Sequence, residues 1–161
     1  MKRSAIVLTV LLLGGVALAT TWVPSEKTDP MTGEKVPSQE IMSYGTYIYH
    51  WPSKYDLVFW PFTDENCICL NPKTGYAAFN NDFEELPDAE KQGLALWLKE
   101  NYKADNPPKS HEEKLAWLEK VYGLRKMNDP FWCYFYRLMA YIYSKDKETS
   151  LAYVRKAVPL L

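Results

Sequence analysis

The chain has 161 residues, of which 47% are hydrophobic, 15% aromatic and 24% charged. This composition is typical of a globular protein and excludes an intrinsically disordered chain. Nineteen Lys and Arg residues are balanced by twenty Asp and Glu residues, a formal net charge of −1, so the chain lacks the strongly basic character of proteins that bind nucleic acid or anionic lipid. We expect one domain, or two small ones that share a core.

The first nineteen residues have the three parts of a secretory signal peptide. Lys2 and Arg3 form a short positive region, residues 5–16 are apolar or small, and Ala17 and Ala19 occupy the −3 and −1 positions that signal peptidase accepts. The apolar run is shorter than the about 20 residues that a membrane-spanning helix needs. We therefore predict cleavage after Ala19, a mature protein in the bacterial periplasm or outside the cell, and no transmembrane segment after cleavage. An uncleaved N-terminal anchor is the alternative.

Residues 20–84 are predicted to form a β-rich module, because short aromatic segments alternate there with turn residues. The candidate strands are residues 42–51, 55–60 and 66–70. Cys67 and Cys69 lie two residues apart, so on a strand both face the same side. Either can meet Cys133 in a disulfide across the core, or all three are small buried apolar residues, and the sequence leaves these alternatives open.

Residues 85–161 are predicted to form four helices joined by short connections, as in antiparallel helical hairpins. The predicted helices cover about residues 87–102, 110–122, 129–143 and 148–158. The signals at their ends are specific: Ser110 and Glu113 form a capping box at the start of the second helix, and Gly123 ends it.

A five-residue frame occurs twice in the β-rich half. It reads Asp-Pro-Met-Thr-Gly from Asp29 and Asn-Pro-Lys-Thr-Gly from Asn71. Zinc ribbons carry two Cys-Pro-x-Cys-Gly turns at a similar separation, in which thiolates hold the metal while proline and glycine shape the turn. The ligand positions here hold Asp29, Thr32, Asn71 and Thr74, and threonine and asparagine are poor zinc ligands. Ordinary type I turns that begin at Asp-Pro and Asn-Pro are the alternative.

The stretch Gly-Tyr-Ala-Ala-Phe-Asn-Asn-Asp-Phe follows, from Gly75 to Phe83. Together with the two frames, it resembles an uncharacterised bacterial family in which a Cys-Pro-x-Cys-Gly pair ends in a similar stretch and leads into tetratricopeptide-like helices. The resemblance covers residues 29–161 and implies a ribbon-like β-rich half followed by repeat-like helices. All four ligand cysteines of the family are replaced here. The resemblance therefore implies the architecture without a metal or another cofactor, and the family has no established activity to transfer.

The last two predicted helices also resemble a tetratricopeptide repeat. Large and small side chains fall near the spacing that lets two such helices pack closely. These side chains are Leu138, Tyr141, Ser150, Val154 and Ala157. An unrelated helical bundle is the alternative.

Two aromatic clusters are the candidate binding or core regions. Eight aromatic residues lie within residues 44–62 and seven within residues 131–143. Such clusters usually form cores, but tyrosine and tryptophan also stack on sugar rings or clamp peptides at wet surfaces. Tyr47, Tyr49 and Trp51 alternate onto one side of a predicted strand, and these three are the candidate ligand-binding residues.

Catalytic motifs are sparse. We expect His50 to make a structural hydrogen bond on its strand and His111 to be solvated in a first helical turn. Asp56 and Asp64 are the candidate pair of carboxylates for hydrolysis. The sequence contains no glycine-rich phosphate loop, no Gly-x-Ser-x-Gly and no His-Glu-x-x-His. We assign neither a catalytic residue nor a metal site from the sequence.

The sequence thus predicts an α+β fold in which the β-rich module packs on the helical module. The leading functional hypothesis is an exported, non-enzymatic interaction or scaffold protein of the bacterial envelope that binds another protein through its helical face. A carbohydrate- or peptidoglycan-binding module that uses Tyr47, Tyr49 and Trp51 is the alternative. A small hydrolase is the third hypothesis.

We expect the exported protein to begin at Thr20, because Ala17 and Ala19 satisfy the signal-peptidase positions. The intact mass of protein recovered from the periplasm or the medium tests this. A mass that includes Met1 would show that the segment remains attached as an anchor.

Overall fold

The computed structural model describes residues 20–44 and 58–161, which form two β-hairpins followed by four helices. In the first hairpin, strand β1 (Thr20–Thr28) pairs antiparallel with strand β2 (Lys35–Tyr44). In the second, strand β3 (Ile68–Leu70) pairs antiparallel with strand β4 (Ala77–Phe79), directly after a 3-10 turn at Glu65–Cys67. Each hairpin is a separate two-stranded sheet.

The helices are α1 (Asp88–Asn101), α2 (His111–Tyr122), α3 (Asp129–Ile142) and α4 (Lys147–Ala157). A second 3-10 turn, Val158–Leu160, follows α4. The four predicted helices and the mixed α+β class are therefore confirmed. None of the helices among the described residues is both long and apolar enough to span a membrane.

Side-chain caps explain where α2, α3 and α4 begin. At α2, the Ser110 hydroxyl accepts a hydrogen bond from the Glu113 N–H, and the Glu113 carboxylate accepts one from the Ser110 N–H, which is the predicted capping box. Asn128 caps α3 and Asp146 caps α4 in the same way, through side-chain oxygens that accept N–H groups of the first turn.

The predicted strands agree with the structure only in part. Residues 42–44 belong to β2, and the rest of the strand predicted there lies outside the described residues. Val58 and Phe59 are helical, so the strand predicted around them is wrong at these positions. Phe59 is buried against the rings of Tyr134 and Tyr141, at centroid distances of 5.6 and 5.4 Å. This tertiary packing outweighs the local preference of aromatic residues for strands.

One hydrophobic core includes buried residues of both hairpins and of α1, α2 and α3. Phe79 of β4 shows how the two halves meet. Its N–H donates to the Tyr122 hydroxyl at 3.0 Å, and its ring lies 6.2 Å from that of Phe135. The second hairpin is therefore built into the helical core rather than joined to it by a linker.

Candidate functional site

The predicted ligand-binding residues Tyr47, Tyr49 and Trp51 lie outside the described residues, as do His50 and Asp56. The carbohydrate-binding hypothesis that depends on the first three stays a prediction. The described part of the chain places the other candidates in three regions: the two repeated turns, the neighbourhood of Asp64 and His111, and the helical surface.

The two repeated frames form turns with the same backbone hydrogen bonds. In the first turn, the Asp29 N–H donates to the Glu34 carbonyl (2.9 Å) and the Gly33 N–H donates to the Asp29 carbonyl (2.8 Å). Both bonds recur, at 2.8 Å each, at positions 42 residues further along the chain. Gly33 and Gly75 have φ values of 74° and 79°, a region that glycine adopts without strain. The repetition in sequence therefore corresponds to a repetition in backbone geometry.

Side chains of the two turns meet in a buried hydrogen-bonded cluster of Asp29, Asn71 and Thr74, here called the turn link. Asp29 and Asn71 are 0% and 1% exposed. Oδ2 of Asp29 accepts from Asn71 Nδ2 at 2.5 Å and from Thr74 Oγ1 at 3.4 Å. Oδ1 accepts from the N–H groups of Met31 (2.7 Å) and Thr32 (3.2 Å). Each carboxylate oxygen thus has two donors, which offset the free-energy cost of burying the group.

The turn link occupies three of the four positions at which the two turns of a zinc ribbon carry cysteine. The fourth, Thr32, is exposed, and its hydroxyl accepts a hydrogen bond from the Glu34 N–H at 3.2 Å. Among the described residues, no three His, Cys, Asp or Glu side chains are grouped so that they could hold a metal ion. The chemistry that the turn link supplies is a hydrogen-bonded cross-link between the two hairpins.

The three cysteines, Cys67, Cys69 and Cys133, are buried free thiols. The sequence left open a disulfide with Cys133 or three small buried residues, and the structure shows three small buried residues. Burial raises the pKa of Cys69 to about 12 and raises the pKa of Cys67 further. Both thiols are therefore protonated at neutral pH, and a protonated thiol is a poor nucleophile.

Asp64, one of the two candidate hydrolytic carboxylates, has a structural role. It accepts hydrogen bonds from the Trp22 indole N–H at 3.0 Å and from the Asn66 N–H at 2.9 Å. The first bond ties β1 to the segment before β3, and the second caps the 3-10 turn.

His111 differs from the sequence prediction of a solvated ring, because both of its ring nitrogens are buried. Burial lowers the pKa of His111, although the nearby carboxylates of Glu112, Glu65 and Asp64 act in the opposite direction. The ring therefore carries its proton less readily in the folded chain than in the unfolded one.

An exposed row of large apolar side chains runs along α4 and the 3-10 turn after it, and it is here called the α4 stripe. It consists of Leu151, Val154, Val158 and Leu161, which are 54%, 42%, 58% and 86% exposed. The spacing of three and four residues places the first three on one side of a helix. The described residues include eight exposed large hydrophobic side chains, and half of them belong to this stripe. The α4 stripe is therefore the main apolar surface of the described molecule.

The opposite side of α4 packs on α3. Ala157 is buried, and the Ser150 hydroxyl donates to the Ala140 carbonyl at 2.8 Å. Leu138 and Ala157 thus lie in the helical contact, as the repeat-like pattern predicts, whereas Val154 faces outward. The structure shows a helical hairpin, and its tetratricopeptide-like character stays a prediction.

The aromatic cluster of α3 lies between the core and the surface. Trp132 stacks on Tyr136 with ring centroids 5.3 Å apart, and Tyr143 stacks on Tyr153 of α4 at 5.9 Å. The Tyr153 hydroxyl donates to the Glu119 carboxylate at 2.7 Å, which extends the cluster to α2. These rings fasten three helices together, and this is a packing role.

Comparison of the chain with protein-family models, with curated proteins and with solved structures finds no match.

We expect Asp29→Ala to lower the free energy of unfolding by about 3 kcal/mol, because it leaves the buried Asn71 amide without its acceptor and removes the bonds to two backbone N–H groups. Thr32→Ala, in the same turn, removes one exposed hydrogen bond and should cost about 1 kcal/mol or less. Urea unfolding of both variants measures the difference. Equal losses in the two variants would contradict a special role for the turn link.

Because burial lowers the pKa of His111, the unfolded chain binds a proton more readily than the folded chain, and acid favours unfolding. The contribution of this histidine to stability is complete above its ordinary pKa of about 6.5 and declines as the pH falls through that value toward the folded pKa. Between about pH 7.5 and pH 5.5, the free energy of unfolding should therefore fall more in the wild type than in His111→Gln. Parallel pH profiles of the two proteins would contradict this prediction.

Proposed function

We propose that this protein is an exported, non-enzymatic interaction protein of the bacterial envelope that binds a partner protein through the α4 stripe. The observation that supports this proposal is the concentration of exposed large apolar side chains along α4 and the 3-10 turn that follows it. The signal-peptide pattern of residues 1–19 supports the location.

The energetics of the α4 stripe favour a covered surface. Single exposed apolar side chains are ordinary on soluble proteins, but a contiguous row of them is typical of an interaction site. Covering a Leu or Val side chain contributes roughly 1.5–3 kcal/mol when burial is complete. Burial of four such side chains offsets the loss of translational and rotational freedom on association and leaves free energy for a specific contact.

The shape and charge of α4 indicate the kind of partner. A row at helical spacing matches the ridges of another helix, so the partner contributes an amphipathic helix. The helix α4 carries three basic side chains, Lys147, Arg155 and Lys156, and one acidic side chain, Glu148. A partner helix with acidic residues beside its apolar face therefore complements it.

Several described groups with catalytic potential, the candidate carboxylate Asp64 among them, are engaged in structural contacts. Asp64 caps a turn and holds Trp22, and Asp29 is saturated with donors. The thiols of Cys67 and Cys69 are buried and protonated. These contacts support a binding protein over a hydrolase.

Substitution of the α4 stripe tests the proposal. The double variant Leu151→Lys/Val154→Lys places charges in the row without removing a buried side chain, so the fold should persist while capture of a partner from envelope extracts falls about tenfold or more. Quantitative affinity capture with the tagged full chain measures the loss.

The matched control is Leu96→Lys, a change at a side chain of α1 that is 59% exposed, and it should retain wild-type capture. Equal capture by the wild type and the double variant would contradict the proposal. Light scattering of the wild type also distinguishes the occupant: a dimer that the double variant converts to a monomer would assign the stripe to a second copy of the chain.

A further inference from the structure

Two adjacent grooves open where the end of α1, the connection to α2 and α2 itself meet the turns of the hairpins. The larger, here called the lysine groove, has a volume of about 460 Å³ and is lined by Tyr102, Lys103, Lys109, Trp117 and Lys120, among others. The smaller, here called the apolar groove, has a volume of about 420 Å³ and is lined by Met31, Ala95, Leu98, Lys99 and Tyr102, among others. Tyr102 belongs to both linings, so the two grooves are neighbours.

The two grooves are lined by an excess of positive charge, whereas the chain as a whole is nearly neutral. Five lysines line the pair: Lys73, Lys99, Lys103, Lys109 and Lys120. Lys73 pairs with Glu34 at 3.0 Å, and the other four form no ion pair with any described residue. The formal net charge of the whole chain is −1. The grooves are therefore a local basic surface on a nearly neutral protein.

The two linings contain one acidic side chain, Glu113, which keeps its negative charge and is held by hydrogen bonds at the start of α2. Its Oε2 accepts hydrogen bonds from the N–H groups of Lys109 at 2.7 Å and Ser110 at 3.1 Å, in the capping box of α2. A carboxylate that accepts backbone N–H groups at the start of a helix stabilises that helix end. Four lysines without an ion pair to any described residue outnumber this one carboxylate, so the charge of the two linings favours an anionic ligand.

The aromatic side chains of the grooves are held in fixed positions by their polar atoms. The Tyr102 hydroxyl donates to the Pro72 carbonyl at 3.0 Å, and the Trp117 indole N–H donates to the Gly75 carbonyl at 2.8 Å. The Tyr102 ring packs directly against Gly75, where no side chain fits, because a Cβ there would lie 2.2 Å from that ring. The rings are thus preorganised, with centroids 5.6 Å apart, and a ligand need not order them.

We infer that the two grooves form one binding surface for an extended acidic segment of a partner protein. Carboxylates of the segment contact Lys103, Lys109 and Lys120, and an apolar side chain of the same segment enters the apolar groove. This surface lies on α1, α2, their connection and the turns of the hairpins, and it depends on observations independent of the α4 stripe.

The combination of linings selects a peptide over other anionic polymers. The lysines contact any anion, and the apolar groove, which also contains Thr32, Thr74 and two lysines, adds an apolar surface around Met31 and Ala95 that a nucleic acid or a polysaccharide leaves uncovered. An acidic peptide that contains one large apolar side chain satisfies both grooves.

A labelled synthetic heptapeptide with six glutamates around a central leucine tests the inference, by fluorescence anisotropy with the full chain. We expect saturable binding that weakens as salt is raised, because the contacts are between exposed charges. Lys103→Glu/Lys120→Glu should weaken it about tenfold or more. The control Lys126→Glu/Lys145→Glu makes the same change in net charge at exposed lysines outside both grooves and should leave the affinity unchanged.

Two further peptides divide the surface into its parts. Glutamine in place of every glutamate should abolish binding, and glycine in place of the leucine should weaken it severalfold. The inference is overturned if the acidic peptide does not bind, or if the control variant loses as much affinity as the groove variant. Binding of polygalacturonate that is lost in the groove variant, without binding of the peptide, would overturn it in favour of an anionic polysaccharide. Equal binding of the leucine and glycine peptides would remove the apolar groove from the surface.

Discussion

The hydrogen bond between Asn71 Nδ2 and Asp29 Oδ2 joins the two β-hairpins at the point where their repeated turns meet. The first hairpin contributes Val36 as its only buried hydrophobic side chain among the described residues, together with the buried polar residues Asp29 and Ser38. Such a hairpin lacks the apolar surface to stand alone. The turn link fixes its position through donors and acceptors that match at one register only, because an alternative pairing would bury an unsatisfied carboxylate. The turn link thus positions the first hairpin together with the Trp22–Asp64, Asn80–Gln39 and Lys73–Glu34 contacts, and hydrophobic burial elsewhere supplies most of the stability.

The second junction of the fold is the hydroxyl of Tyr122, which is fully buried. It accepts the Phe79 N–H of β4 and donates to the Asp82 carboxylate. Burial raises the pKa of Tyr122 well above its ordinary value, so the hydroxyl keeps the proton that it donates. The Arg125 guanidinium lies 5.3 Å from the centroid of the same ring, and it donates to the Glu85 carbonyl at 2.7 Å. One side chain of α2 therefore links a strand, the segment that leads to α1 and the connection after α2.

Local sequence signals predict this fold correctly where neighbouring residues determine a turn or the end of a helix. Ser110 with Glu113 marks the start of α2, and the repeated Pro and Gly of the two frames mark equivalent turns; the structure contains both. Local signals fail where contacts with residues distant in the sequence determine the conformation or the burial of a residue. Phe59 is helical because rings of α3 cover it, and the nitrogens of His111 are buried although its position in a first helical turn favours solvent. Neither environment is encoded by neighbours in the sequence.

The candidate binding surfaces show the same division. The sequence shows the helical spacing of Leu151, Val154 and Val158. This spacing is the same for a buried helix face and for an exposed one. The repeat-like pattern in fact predicts that Val154 is buried. Only the fold shows that this face of α4 is exposed. The lysine groove and the apolar groove are less predictable still, because their lysines Lys73, Lys99 and Lys120 come from a turn and two helices. A single-sequence pattern has no signal for lysines that meet only after folding.

The helix α2 places the two surfaces in a fixed relation. Trp117 and Lys120 face the lysine groove, while the neighbouring Glu119 accepts the Tyr153 hydroxyl and pairs with Lys156 of α4 at 2.6 Å. Its inner side chains, Leu115 and Leu118 among them, are 0% exposed, so α2 cannot rotate without disrupting the core. A partner that presents both an amphipathic helix and an acidic segment would meet two sites held at one separation. Binding of one would then raise the effective concentration of the other, and two individually weak contacts would combine into a stable complex.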